Sequence, residues 1–261
     1  MPAIRDAGAA QVRAKTPEKT RVKICGLTRE ADVDAAVAAG ADAVGFVLYA
    51  KSARAVSAAR AAELARRLPP FVTPVLLFVN EASAQVRAAC AMVPGCWAQF
   101  HGDESPRQCL HATQFADGGA RPFLRAAHMP LGAAQPRFDL VEYALRFSHA
   151  AAILLDAQVP GYGGGGKTFP WSLLPTNVPA HLVLSGGLTP ANVADGMAQV
   201  RPRGLSLAVD VSSGVEAEGP HGQPRKGIKD ADKIHRFIAA VRAADARAHT
   251  ASAGSTPVSC S

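Results

Sequence analysis

The sequence predicts the α/β class and, within it, a closed (β/α)8 TIM barrel forming a single domain. Two observations carry that expectation. Short apolar runs of strand length alternate with helix-length segments, the pattern of a parallel sheet with crossover helices. About eight such units fit into roughly 225 residues, which suits a closed barrel better than an open sheet. In a barrel every residue just past a strand lies on one rim, where such folds keep their chemistry.

The elements follow in order. Val22–Cys25 is an apolar strand closed by Gly26, with Thr28 placed as the cap of a helix from about Arg29 to Ala39 that stops at Gly40. Ala43–Val47 is the second strand, and Ser57 caps a helix running to about Leu68, before Pro69-Pro70. Val72–Val79 and the helix Ala82–Met92 come next, ended by Pro94-Gly95. Trp97–His101 reads as a strand, and Ser105-Pro106 is the cap and first-position pair of a helix. Pro122–Ala126 is a weaker strand, Phe138–Phe147 a helix, and Ala151–Asp156 a clear apolar strand with a carboxylate at its end. His181–Leu184 precedes Gly186-Gly187, and Thr189-Pro190 opens another helix. Leu205–Val211 is the last strand; Ile234, Phe237, Ile238 and Val241 then draw an apolar stripe along the last helix. Residues 1–20 and the Ala-, Ser- and Thr-rich stretch from Ala244 onward lack an apolar period, so they are expected to be disordered tails around a domain spanning 21–243.

Composition narrows the function classes. A chain of 261 residues with 48% hydrophobic and 19% charged content is expected to be soluble and globular. Aromatic residues make up only 6%, which argues against stacking platforms for nucleic acid. The net charge of +7 suits an anionic small molecule, although much of the excess sits in the N-terminal arm at Arg5, Arg13, Lys15, Lys19 and Arg21. Five cysteines, none in a C-x-x-C pair, fit reduced thiols and a cytoplasmic location. No apolar run approaches the roughly 20 residues of a membrane span, and no secretory leader is evident.

The chemistry begins in Val22–Gly26. Strand alternation puts Cys25 on the same face as Lys23, and a cation beside a thiol favours the thiolate. Taken alone, a lone cysteine is more often a small buried hydrophobe. Gly161–Thr168 formally satisfies the G-x-x-x-x-G-K-[ST] pattern of a nucleotide-binding loop, but Pro170 and Pro175 deny it the sustained helix that such a loop requires.

Several motifs stand in one order: Lys23-Ile24-Cys25-Gly26-Leu27-Thr28, Gly45-Phe46-Val47, Ser52 to Ser57, Leu77-Phe78-Val79-Asn80, Gln99-Phe100-His101-Gly102-Asp103-Glu104, Leu184 to Leu188 and Asp210 to Glu216. Each is weakly specific alone, whereas the ordered set is highly specific. From about Arg21 to Val241 the chain resembles the phosphoribosylanthranilate isomerases of tryptophan biosynthesis. The resemblance implies an Amadori rearrangement of a phosphorylated aminosugar, with neither metal nor cofactor. It implies Cys25 as the general base and Asp156 as the general acid, each worth roughly 10²- to 10⁴-fold in rate. To donate, Asp156 must hold a proton part of the time near neutral pH, so a partly dry site is expected.

By the same resemblance, Arg54 grips the substrate's carboxylate and Asp210 lies near the substrate. Gly186, Gly187, Ser212, Ser213 and Gly214 offer backbone N–H groups to the phosphate. His101 and Asp103 are read as structural, and the glycine run after the sixth strand as a closing loop. Family members usually carry Phe-Asp-Trp beyond that run, whereas this chain has Phe169-Pro170-Trp171. The expected partner is a small phosphorylated substrate, without nucleic acid or membrane, and the assembly is a monomer or homodimer. A nucleotide-binding protein and a non-catalytic sugar-phosphate-binding barrel are the alternatives.

Overall fold

The structure is a computed structural model describing residues 19–115, 118–131, 138–157, 168–220 and 222–253. Eight strands form the ring: β1 (Arg21–Cys25), β2 (Ala43–Val47), β3 (Thr73–Phe78), β4 (Trp97–Phe100), β5 (Phe123–Met129), β6 (Ala152–Ala157), β7 (Leu182–Leu184) and β8 (Leu207–Val211). Neighbours pair in parallel, and β1 closes the barrel on β8, with Lys23 opposite Asp210. Around them lie α1 (Glu30–Ala38), α2 (Ala58–Ala65), α3 (Ser83–Met92), α4 (Pro106–Thr113), α5 (Leu140–Arg146), α6 (Val193–Val200) and α7 (Ala231–Ala253). The expected (β/α)8 barrel is therefore the fold.

Alternation along the strands produces two apolar layers. Ile24, Phe46, Leu76, Phe100, Ile153, Leu184 and Val209 face the helices in the larger core. The intervening positions Val75, Leu124, Ala126, Leu154 and Val183 plug the barrel interior. Burying each large side chain contributes about 1.5–3 kcal/mol, and the filled plug leaves only the upper lumen for chemistry. Two predicted caps hold α2 and α4: Ser57 Oγ accepts from Arg60 N, and Ser105 and Gln108 form a capping box.

Several elements depart from the sequence-based expectation. Thr28 does not cap α1; its hydroxyl donates to the Gly227 carbonyl at 2.6 Å, and Arg29 stands at the cap position, its side chain pairing with Asp32 rather than capping the helix. The sixth helix begins at Val193 rather than near Thr189, because Asn192 locks the preceding turn by accepting from Thr189 N and donating to the Gly187 carbonyl. Between β6 and β7 the described residues hold one 3₁₀ turn, Trp171–Leu173, which ends where Leu174 turns extended ahead of Pro175. The closing-loop reading of the glycine run falls on residues 158–167, outside the described residues.

An antiparallel hairpin, β9 (Glu216–Glu218) and β10 (Pro224–Lys229), follows β8 outside the ring. Glycines and prolines interrupt this segment, β9 spans only three residues, and the sequence PRKGIK of β10 carries no apolar alternation, so no local pattern announces either strand. The last helix is also longer than predicted. It continues through Ala253, so the boundary at 243 is moved: Asp245 is buried and accepts from the backbone and hydroxyl of Thr20 at 2.9 and 2.7 Å. Thr20, assigned to the N-terminal tail, thereby belongs to the fold.

Candidate active site

Parallel pairing brings all strand carboxyl ends to one rim, and the functional side chains predicted from the sequence gather there. Cys25 ends β1, Asp156 stands near the end of β6, and Asp210 lies near the end of β8. Around the ring, β6 and β1 are separated only by β7 and β8, and a continuous set of contacts spans the gap. A side chain placed on Gly186 would meet Asp156 Oδ1 at 2.9 Å; Ser185 Oγ donates to Asp210 Oδ2 at 3.1 Å; Lys23 Nζ pairs with Asp210 Oδ1 at 2.8 Å. Lys23 also stands beside Cys25, the two side chains flanking the same space above Gly45.

The thiol side follows from alternation in β1. Lys23 and Cys25 both enter the lumen and are only 4% exposed. Gly45 on β2 is required beside them, since a Cβ there would fall 2.8 Å from Cys25 Sγ and 3.0 Å from Lys23 Nζ. Burial pushes the Cys25 thiol up, Lys23 pulls it down, and Asp210 adds to the rise, so the thiol form is favoured at rest. The cation expected to favour the thiolate is in place, but Asp210 offsets its charge. Burial opposes the charge on Lys23, yet Asp210 and Cys25 outweigh it and hold the ammonium above the usual lysine range.

On the carboxyl side, Asp156 is 6% exposed and accepts from Ala157 N at 3.0 Å. His101 Nε2 lies 3.1 Å from Asp156 Oδ2, and His101 Nδ1 lies 3.1 Å from Gln99 Nε2. The amide donates to Nδ1 in that arrangement, which leaves the Nε2 proton facing the carboxylate. His101 therefore touches the side chain of Asp156. Beneath it, Glu104 pairs with buried Arg125 at 2.9 Å and accepts from Asn80 N and Gly102 N, fixing the loops after β3 and β4.

The anion loops lie on the β7–β8 side. Gly186 and Gly187 turn with φ of 75° and 64°. Ser213 opens a 3₁₀ turn, Ser213–Val215, and Gly214 packs so closely on the Leu188 carbonyl that no side chain fits between them. The two glycine-bearing loops thus form one lip.

Arg54 is buried, and its Nε and Nη2 grip Glu216 at 2.6 and 2.9 Å. Glu216 also accepts from Gly227 N at 2.8 Å and faces Lys229 Nζ at 3.4 Å. Lys229 Nζ in turn donates to the Ser212 carbonyl at 2.9 Å. Burial favours the neutral form of Glu216, but Arg54, Lys229 and Gly227 hold it ionised below the usual carboxylate range. For Lys229 burial dominates and lowers its value. Two cations facing one carboxylate leave an excess positive charge beside the anion loops.

Glu216 and Lys229 were not singled out as site residues, since no local pattern links them to Arg54. His101 was legible in principle: it continues the inward positions Trp97 and Gln99 of β4.

Comparison with known proteins identifies the family. The family described as N-(5'phosphoribosyl)anthranilate (PRA) isomerase matches residues 22–240. The N-(5'-phosphoribosyl)anthranilate isomerase of Methylibium petroleiphilum is 62% identical over 229 residues, covering 88% of this chain and 97% of its own. The crystal structure of phosphoribosyl anthranilate isomerase from Thermotoga maritima superposes with a TM-score of 0.70 at 41% identity, covering 86% of this chain and 99% of that one. Another such isomerase, solved with reduced 1-(o-carboxyphenylamino)-1-deoxyribulose 5-phosphate, gives 0.66 at 37% identity with the same coverage. Monomers generated from the dimeric Thermotoga maritima enzyme give 0.65 at 35% identity, again covering 86% and 99%. With the family matched over nearly the whole barrel, the chain belongs to the N-(5'-phosphoribosyl)anthranilate isomerases.

Proposed function

We propose that this chain rearranges N-(5-phosphoribosyl)anthranilate with Asp156 as general acid and Cys25 as general base. Asp156 gives its proton to the furanose ring oxygen, the C1–O bond breaks, and the nitrogen lone pair forms an iminium. Cys25 thiolate then takes the C2 proton, and the resulting enolamine tautomerises to the ketone. The new positive charge on the iminium favours the thiolate that faces it, offsetting its burial. Phosphate is held by the N–H groups of Gly186, Gly187, Ser212, Ser213 and Gly214, and the substrate's carboxylate by the excess charge of Arg54 and Lys229 around Glu216. Asp210 acts here mainly through Lys23.

The observation supporting this reading is the shared rim: a thiol and a carboxyl joined through Gly186, Ser185, Asp210 and Lys23. Turnover is followed as loss of anthranilate-type fluorescence. Cys25→Ala and Asp156→Ala should each lower it at least about a hundredfold while circular dichroism is unchanged. Near-normal turnover in both variants would overturn the roles.

The reading carries with it a cytoplasmic location and a monomer or homodimer, which sedimentation distinguishes. Among the described residues, no helix is long and apolar enough to cross a membrane.

A further inference from the structure

Beside the proposed acid, three potential metal ligands converge. His101, His128 and Asp156 each offer one ligand atom within 4.8 Å of the others. They come from neighbouring positions of the ring: His101 directly follows β4, and His128 on β5 is the register partner of Asp156 on β6. The imidazoles meet edge to face with centroids 5.2 Å apart. Tetrahedral coordination at about 2.0–2.2 Å needs ligand atoms roughly 3.3 Å apart, within reach of small side-chain rotations. Two histidines with one carboxylate form a set suited to Zn²⁺, Co²⁺ or Fe²⁺ rather than Mg²⁺ or Ca²⁺.

The surroundings also fit. Gln99 is fully buried, and its Oε1 has no hydrogen-bond partner, while its Nε2 lies against His101 Nδ1. Turning the amide end for end would let Oε1 accept from Nδ1–H, which leaves Nε2 of His101 as a lone pair aimed at Asp156. A lone pair and a carboxylate oxygen at 3.1 Å require a positive centre between them, a proton or a metal. His128 Nε2 is steadied by the His101 carbonyl at 3.1 Å, the kind of outer contact that orients a metal-binding ring.

We propose that His101, His128 and Asp156 bind a divalent transition metal such as Zn²⁺ or Co²⁺, and that this ion inhibits the isomerase by occupying the acid. On binding, the proton shared by His101 and Asp156 leaves to solvent, and the nitrogen and carboxylate lone pairs go to the metal. The inhibitory half rests on the acid role proposed for Asp156; the site itself does not.

The test is a Co²⁺ titration of the full chain, followed both by visible absorption of bound cobalt and by isomerase rate. His128→Ala and the bulkier His128→Gln serve as variants. One Co²⁺ per chain is expected, bound at least about tenfold more weakly in either variant, with inhibition shifted in parallel and the metal-free rate within about twofold of the parent. Absence of cobalt binding at millimolar metal would overturn the proposal. So would equal binding in both variants, or a thiolate charge-transfer band showing Cys25 as the ligand. Binding that depends on His128 but leaves the rate untouched would sustain the site and overturn its inhibitory role, pointing to an error in the acid assignment.

Discussion

Cys25 shows how one side chain's behaviour is set by neighbours on three strands. Its thiol is raised by burial and by Asp210 on β8, and lowered by Lys23 two residues away on its own strand. The reactive form of a base is the thiolate, so activity should increase with pH through the thiol's elevated value. Removing the cation that pulls this value down should move the ascending limb to still higher pH. Lys23→Met is therefore expected to shift the limb upward in kcat/KM profiles, with the greatest rate loss at neutral pH. An unmoved limb would show that Lys23 does not act on the thiol. The adjacency of Lys23 and Cys25 was legible, because alternation alone places them on one face. The desolvation that outweighs the cation was not, since it depends on how closely β2 and β8 pack around the sulfur.

At the scale of elements, the turn between α2 and β3 carries a local strain. Phe71 is fully exposed yet adopts φ of 70°, a left-handed conformation costing a bulky residue about 1–2 kcal/mol. Phe71→Gly should relieve that strain without removing a core contact, less the extra chain entropy glycine must lose. A net gain of up to about 1 kcal/mol is expected, raising Tm by roughly 2–4 °C in a domain of this size. A lower Tm would show that Phe71 is held there by a contact worth more than the strain. Elements were readable where caps and alternation act locally, as for Ser57 and Ser105. They were misread where a distant partner claims a local residue, as Gly227 claims the hydroxyl of Thr28. The hairpin Glu216–Lys229 was missed for the same reason: its role is to bring Glu216 and Lys229 to Arg54, a pairing no local pattern announces.

At the scale of the whole molecule, the first strand and the last helix are fastened together. Asp245 accepts from Thr20 N and Oγ1, and from Arg201 Nη2 at 2.6 Å. Burial would raise its pKa, but Arg201 and Thr20 together bring it below the usual carboxylate value. A depressed folded-state pKa gives stability that is complete above the unfolded value of about 3.9 and is lost as pH falls through the folded one. Asp245→Ala should cost about 1–3 kcal/mol at neutral pH, because the buried Thr20 N–H loses its partner. Its deficit relative to the parent should shrink on acidification below about pH 4. Urea unfolding at pH 7 and pH 3 measures both effects; equal deficits would remove the ionised carboxylate from the account. A chain beginning at Arg21 lacks the same clasp and should melt lower as well.

By itself the sequence determined a parallel α/β fold, since strand and helix periods alternate about eight times and each apolar face must be buried, while closure of the ring was settled by the pairing of β1 with β8. It also determined that Cys25, Asp156 and the glycine loops share one rim, because parallel strands of one ring point their carboxyl ends the same way. Tertiary structure alone decided what those groups meet. Arg54 meets Glu216, Lys23 meets Asp210, and His101 turns to Asp156. Such pairings join residues far apart in the chain, and charge and burial act through space rather than along the sequence.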